Sequence, residues 1–146
     1  MEQISEITIN YNPRRKLSGL PKITNSKEAE EQFRAFWSNK LNHIEEMYLL
    51  LLNRANKVLG FSKISQGGCS GTVVDPKVVF QTALKANASS IILAHNHPSG
   101  NLKPSDADLK ITKSIREAGK IMEILLVDHI IITDEGFYSF ADEGII

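Results

Sequence analysis

His95 and His97 stand two residues apart at the end of the apolar run SSIILAHNH. In an extended strand side chains alternate between faces, so both imidazoles project to the same side. Two neutral imidazoles at one strand end suit zinc. The turn-rich segment PSGNLKP that follows reverses the chain. Asp108, in the first turn of the next helix, is thereby placed to return over the strand end and offer a carboxylate oxygen. Three such ligands leave one tetrahedral position for water, the arrangement of a catalytic rather than a structural zinc site. Ser105 and Asp108 also have the spacing of an N-cap and its third helical residue. On the residues alone, helix capping and metal binding are both open, and the two roles are compatible.

The elements around these residues follow from pattern. Residues 1–26 form an extension: ISEITINYN alternates like an exposed strand, at most one, and NPRRKLSGLPK is basic and broken by Pro13, Gly19 and Pro21. A helix is expected from Asn25 or Ser26, with Glu28 at capping-box spacing and Phe33, Phe36, Trp37 and Leu41 along one core-facing stripe. MYLLLLN has no polar face and reads as a buried strand, RANK as a turn and VLGFSKIS as the returning strand of a hairpin. Beyond the glycine-rich loop at 67–71, Asp75-Pro76 is a strong helix start, and that helix is expected to run to about Asn87. SSIILAHNH is a third strand. Ser105 opens another helix, with Ala107, Ile111, Ile115 and Ala118 inward and Gly119 as its stop. MEILLV, HIIIT and FYSF close the chain as three strands, the last two joined around Asp134, Glu135 and Gly136. The expected fold is a single α/β domain bordering on α+β, a mixed central sheet flanked by helices, over residues 27–146.

Composition sets the class. With 146 residues, 42% of them apolar, the chain can bury a proper core, which excludes disordered and collagenous classes. Seventeen basic residues balance seventeen acidic ones, so the electrostatic case for a nucleic-acid binder is weak. The one cysteine, Cys69, cannot form an intramolecular disulfide. The longest apolar run, 47–52, is far below the ~20 residues of a membrane helix. MEQISEITIN lacks the basic and apolar regions of a secretory signal, so the expected location, by elimination, is the cytoplasm.

The string His95, Asn96, His97, seven residues, Ser105, two residues, Asp108 resembles the core of the JAB/MPN (JAMM) metallopeptidases. AHNHPSGNLKPSDAD is similar to the RadC-like subgroup in particular, as are DPKVVFQTALKANASSII before it and DHIIITDEGFYSF after it. The likeness covers about residues 27–146. Longer members of that group carry an N-terminal helix-hairpin-helix segment, for which a chain of this length has no room. The resemblance implies a JAB/MPN-like, cytidine-deaminase-like architecture and Zn2+ held by His95, His97 and Asp108, with a water as fourth ligand. It also implies an upstream glutamate that hydrogen-bonds this water, two residues ahead of an aromatic one. Glu46, two before Tyr48, fits that description, and Glu45 is the fallback. Without the resemblance either acid is an ordinary charged residue at a helix–strand junction. The implied reaction is hydrolysis of a peptide or isopeptide bond, with Glu46 as proton acceptor and then donor and Ser105 donating to the oxyanion.

Weaker signals have plainer readings. Cys69 in GGCSG has no partner fixed near it, and a lone small cysteine in a loop is usually inert. In Asp128-His129, His129 reads first as a histidine satisfied at a strand start, with the pair orienting a metal ligand as the alternative. His43 reads as surface. The letters His-Asn-His are a coincidence of spelling with HNH nucleases, whose named residues are spread along a different unit. The rival function is a non-catalytic binding module on the same fold, associated with DNA through the repair connotation of RadC-type names. The expected partner of the enzyme is a peptide or protein. No membrane partner is expected, and the apolar C-terminal strand edge offers a route to a homodimer. Specificity is expected from the loops at 67–71 and 99–103.

Overall fold

The strand Glu46–Leu52 (β1) is buried along its whole length, as a run without a polar face requires. The computed structural model describes residues 3–10, 12, 16–67 and 73–146. Val58–Gln66 (β2) pairs antiparallel on one side of β1, and Ser90–Asn96 (β3) antiparallel on the other. Leu125–Ile132 (β4) is parallel to β3, and Phe137–Ser139 (β5) closes the edge antiparallel to β4. The sheet order is β2-β1-β3-β4-β5, a mixed sheet as expected. Among the described residues three α-helices accompany it: Ser26–Phe36 (α1), Pro76–Lys85 (α2) and Asp106–Met122 (α3). Alternate residues of β1 serve two cores. Met47, Leu49 and Leu51 pack with Val79, Phe80 and Ala83 of α2 and Ile115 of α3. Tyr48, Leu50 and Leu52 pack with Ala29 and Phe33 of α1. Each such fully buried side chain contributes about 1.5–3 kcal/mol of transfer free energy, which is why both faces of the sheet are covered.

The helix starts follow the local chemistry. The Asn25 side chain accepts from the Glu28 amide, while the Glu28 carboxylate turns to the Thr24 amide and hydroxyl, one position upstream of a true capping box. The helix stops at Phe36, so Trp37 and Leu41 lie beyond it, yet both still pack into the core on the α1 side. Arg34 pairs with Glu30 and donates to the Thr133 and Gly136 carbonyls, fastening α1 to the β4–β5 turn. Asp75 caps α2 through the Lys77 amide, with Pro76 at its first position. Asn87, two residues past that helix, takes a left-handed conformation.

Several expectations are corrected. The segments MEILLV and HIIIT form one strand, β4, not two, with a register shift that leaves Val127 unpaired between Leu126 and Asp128. No turn forms at Asp128 because its buried carboxylate is satisfied in place. It accepts from the His129 amide at 2.7 Å, the Ala141 amide at 3.0 Å and the Ser139 hydroxyl at 2.6 Å. Gly119 is not the stop of α3, which continues to Met122 and ends with Glu123 in the left-handed region. The glycine answers to space: a Cβ there would sit 2.3 Å from the Ile124 carbonyl oxygen. Ala107 is exposed rather than inward. Residues 3–10 form no strand, within the expectation of at most one, and Ile4, Ile7 and Ile9 are exposed. No helix among the described residues is long and apolar enough to cross a membrane.

Candidate metal centre

The carboxyl end of β3 and the first turn of α3 meet over one face of the sheet. Antiparallel partners share a face, and Met47, which packs towards α2 and α3, is paired with His95. His97 follows on the same side, and the two Nε2 atoms are 2.9 Å apart. The Asp108 carboxylate lies across both rings, Oδ1 at 3.2 Å from His95 Nε2 and Oδ2 at 3.2 Å from His97 Nε2. Glu45 completes the group: ligand atoms of Glu45, His95, His97 and Asp108 all lie within 4.8 Å of one another.

Each member is oriented from outside the cluster. His97 Nδ1–H donates to the Asn101 carbonyl at 2.6 Å, which leaves its Nε2 a lone pair when the ring is neutral. The Asp108 Oδ2 accepts from the Ser105 amide at 2.8 Å, and the Ser105 hydroxyl oxygen accepts from the Asp108 amide at 3.1 Å. The capping box and the convergence on the histidines therefore coexist in one residue pair. His95 Nδ1 is 2.7 Å from His129 Nε2, and His129 Nδ1 is 2.6 Å from the Thr112 hydroxyl.

The donor set fits a divalent cation of zinc's type. Two carboxylates and a lone pair on His97 point inward, and among the described residues no side chain donates a hydrogen bond to the Glu45 carboxylate. Nitrogen and oxygen ligands on a tetrahedral zinc stand roughly 3.3 Å from one another, close to the spacings here. The electrostatics agree that positive charge belongs in this place. Burial works to raise the Asp108 carboxyl, but the His95 and His97 rings outweigh it and hold it well below the usual carboxylate range. The hydrogen bond to Asp108 pushes the His97 imidazole up against the effect of burial. Burial raises the Glu45 carboxyl, partly offset by the same two histidines.

The acid expected from the sequence is not the one brought to the cluster. Glu46 falls on the opposite face of β1, wholly buried, with its carboxylate taken by the Ser38 hydroxyl and the Lys63 ammonium. The ammonium lies off the direction of a good hydrogen bond, as an ion pair. Glu45, the fallback, stands with the histidines. Asn96 holds it there from the other side of the sheet. Its amide donates to the Leu41 and Ile44 carbonyls at 2.7 and 2.8 Å, and its oxygen accepts from the Glu46 amide at 2.7 Å.

Ser105 is exposed at the helix start beside Asp108, and His43 is exposed as expected. Cys69 and most of the loop at 67–71 lie outside the described residues. The loop at 99–103 orients His97 through Asn101. Thr112, Asn101 and Asn96 are the residues that pattern reading missed. Thr112 was within reach, since it stands one helical turn after Asp108 on the same face. Asn96 also carried a signal, because an amide inside a buried strand must find backbone partners. A cleft of about 370 Å³ opens beside the cluster, lined by Glu45, Met47, Val74, Asp108, Lys110 and Ile111 among others. A larger one, about 450 Å³, lies by Asn25, Ser26 and Asp142 and includes no member of the cluster.

The family model of the RadC-like JAB domain matches residues 23–145. A UPF0758 protein of Flavobacterium johnsoniae is 48% identical over 126 residues, covering 86% of this chain and 54% of the relative. One from Clostridium acetobutylicum is 43% identical over 129 residues, covering 86% and 54%. A third, from Geotalea uraniireducens, is 39% identical over 140 residues, covering 95% and 60%. The chain thus spans between about half and three-fifths of the length of these relatives. With the family model matching residues 23–145, most of its length, the chain belongs to the RadC-like JAB domain family.

Proposed function

We propose that this domain is a zinc-dependent hydrolase of peptide or isopeptide bonds. The observation that carries this reading is the convergence of Glu45, His95, His97 and Asp108 with no described side chain donating to Glu45. His95, His97 and Asp108 would hold the metal, which when bound lowers the pKa of a coordinated water and polarises a carbonyl. Glu45 is the proton carrier. Its carboxylate takes a proton from the water that adds to the amide carbon, and returns it to the nitrogen as the carbon–nitrogen bond breaks. The products are a carboxylate and an amine. Ser105 accepts from the Asp108 amide, so its own hydroxyl hydrogen is free to donate to the oxygen that gains charge. The cleft beside the cluster, with Met47, Val74 and Ile111 in its walls, suits an apolar side chain of a peptide substrate.

Elemental mass spectrometry on protein purified without chelator tests the reading, with His97→Ala alongside. About one zinc per chain, lost in the variant, is expected. Peptide and isopeptide substrates should then be cleaved, and chelator should abolish cleavage until zinc is restored. No zinc bound even when zinc is supplied would overturn the reading and favour a binding module on the same fold.

A further inference from the structure

A chain of buried hydrogen bonds runs behind the cluster and links two of its members. The Thr112 hydroxyl is 2.7 Å from the Asp108 main-chain carbonyl, which can only accept, so the hydroxyl hydrogen is committed there. Its oxygen then has only lone pairs left for His129 Nδ1, 2.6 Å away. His129 must therefore carry its hydrogen on Nδ1. That ring is wholly buried and stacked on Phe140, centroids 4.5 Å apart, and among the described residues no carboxylate hydrogen-bonds it. Its Nε2 is thus a bare lone pair, and 2.7 Å beyond it stands His95 Nδ1.

We infer that Thr112 and His129 are positioning residues that keep His95 protonated on Nδ1 and aim its Nε2 at the metal centre. The direction of every bond follows from the one group that cannot donate, the Asp108 carbonyl. The same hydroxyl that sets the tautomer also binds the turn of α3 carrying Asp108. The chain therefore sets His95 and Asp108 in register across α3, β4 and β3. Its effect on zinc affinity rests on the metal reading above, whereas the proton positions do not.

Long-range proton–nitrogen NMR on the full metal-free chain reads those positions directly. The expected result is His95 protonated at Nδ1 and His129 bare at Nε2. A bare His95 Nδ1, or a protonated His129 Nε2, overturns the inference whatever the metal does. Zinc affinity by chelator competition supplies the second readout. Thr112→Val and His129→Leu, which keep bulk and remove the polar link, should weaken zinc binding roughly ten- to hundredfold. Thr112→Ser and His129→Gln, which restore a hydroxyl or an acceptor, should recover most of it. Equal affinities in all four variants, each folded by circular dichroism, would overturn the positioning role. If the parent chain takes no zinc while the tautomers are as expected, the metal reading fails and the proton chain stands.

Discussion

Glu45 and Glu46 are neighbours in sequence and stand on opposite faces of the sheet, and their surroundings differ in kind. Glu46 is wholly buried with its compensation beside it, a serine hydroxyl on one oxygen and the Lys63 ammonium on the other. Glu45 is half-buried, faces two imidazoles and another carboxylate, and receives no hydrogen bond from a described side chain. A buried carboxylate that carries its own cation is committed to structure, because moving a proton to or from it would break the pair. One to which no described side chain donates, set beside lone pairs, is free to exchange a proton. Asn96 serves both faces at once: it accepts from the Glu46 amide and grips the Leu41 and Ile44 carbonyls ahead of Glu45.

The sharpest way to break this contrast is to neutralise each acid in turn. Glu45→Gln should lower peptide or isopeptide turnover by about 10²–10⁴-fold, with zinc content and melting temperature unchanged. Glu46→Gln should leave the turnover of folded protein within about twofold. The reverse pattern would return the role to Glu46.

Asn96→Ala comes next in size. It strips partners from buried backbone groups on both sides of Glu45, so urea denaturation should register a loss of about 2–4 kcal/mol. Turnover should fall in the fraction that remains folded, while zinc stays bound. Zinc loss together with turnover would mean that Asn96 supports the histidines rather than the acid.

Glu46→Leu should cost about 1–3 kcal/mol, less than breaking a fully enclosed pair, because the Lys63 side chain is 36% exposed and can reach water. Adding Lys63→Met should restore most of that loss, and the coupling is read from a double-mutant cycle of denaturation midpoints. Simple additivity of the two changes would remove the ion pair from the account. The smallest effect belongs to a site remote from both acids. Asn25→Ala, which removes the α1 cap, should lower stability by about 1 kcal/mol with turnover unchanged.

Much of this molecule is legible in its sequence. Asp75-Pro76 starts a helix for local reasons, since the cap and the preset φ need only neighbours in the chain. The shared side of His95 and His97 follows from strand periodicity, and the return of Asp108 from the turn-rich loop between them. Where local signals misled, long-range contacts had taken over. The expected break between MEILLV and HIIIT falls at Asp128, a costly carboxylate in a sheet, and the strand runs through because Ser139 and Ala141, distant in sequence, join the adjacent His129 amide as its partners. Gly119 looked like a helix stop, whereas its lack of a Cβ answers to the Ile124 carbonyl packed against it.

The residues that can bind a metal, their spacing and the elements that carry them were determined by the sequence itself, because capping, periodicity and turn chemistry act over a few residues. The choice between Glu45 and Glu46 was decided by the tertiary structure alone. Strand β1 is apolar on both faces and so has no alternation to tell one side from the other. The pairing of Met47 with His95, and the seating of α1 and α3 on opposite sides of the sheet, determine which acid meets the histidines.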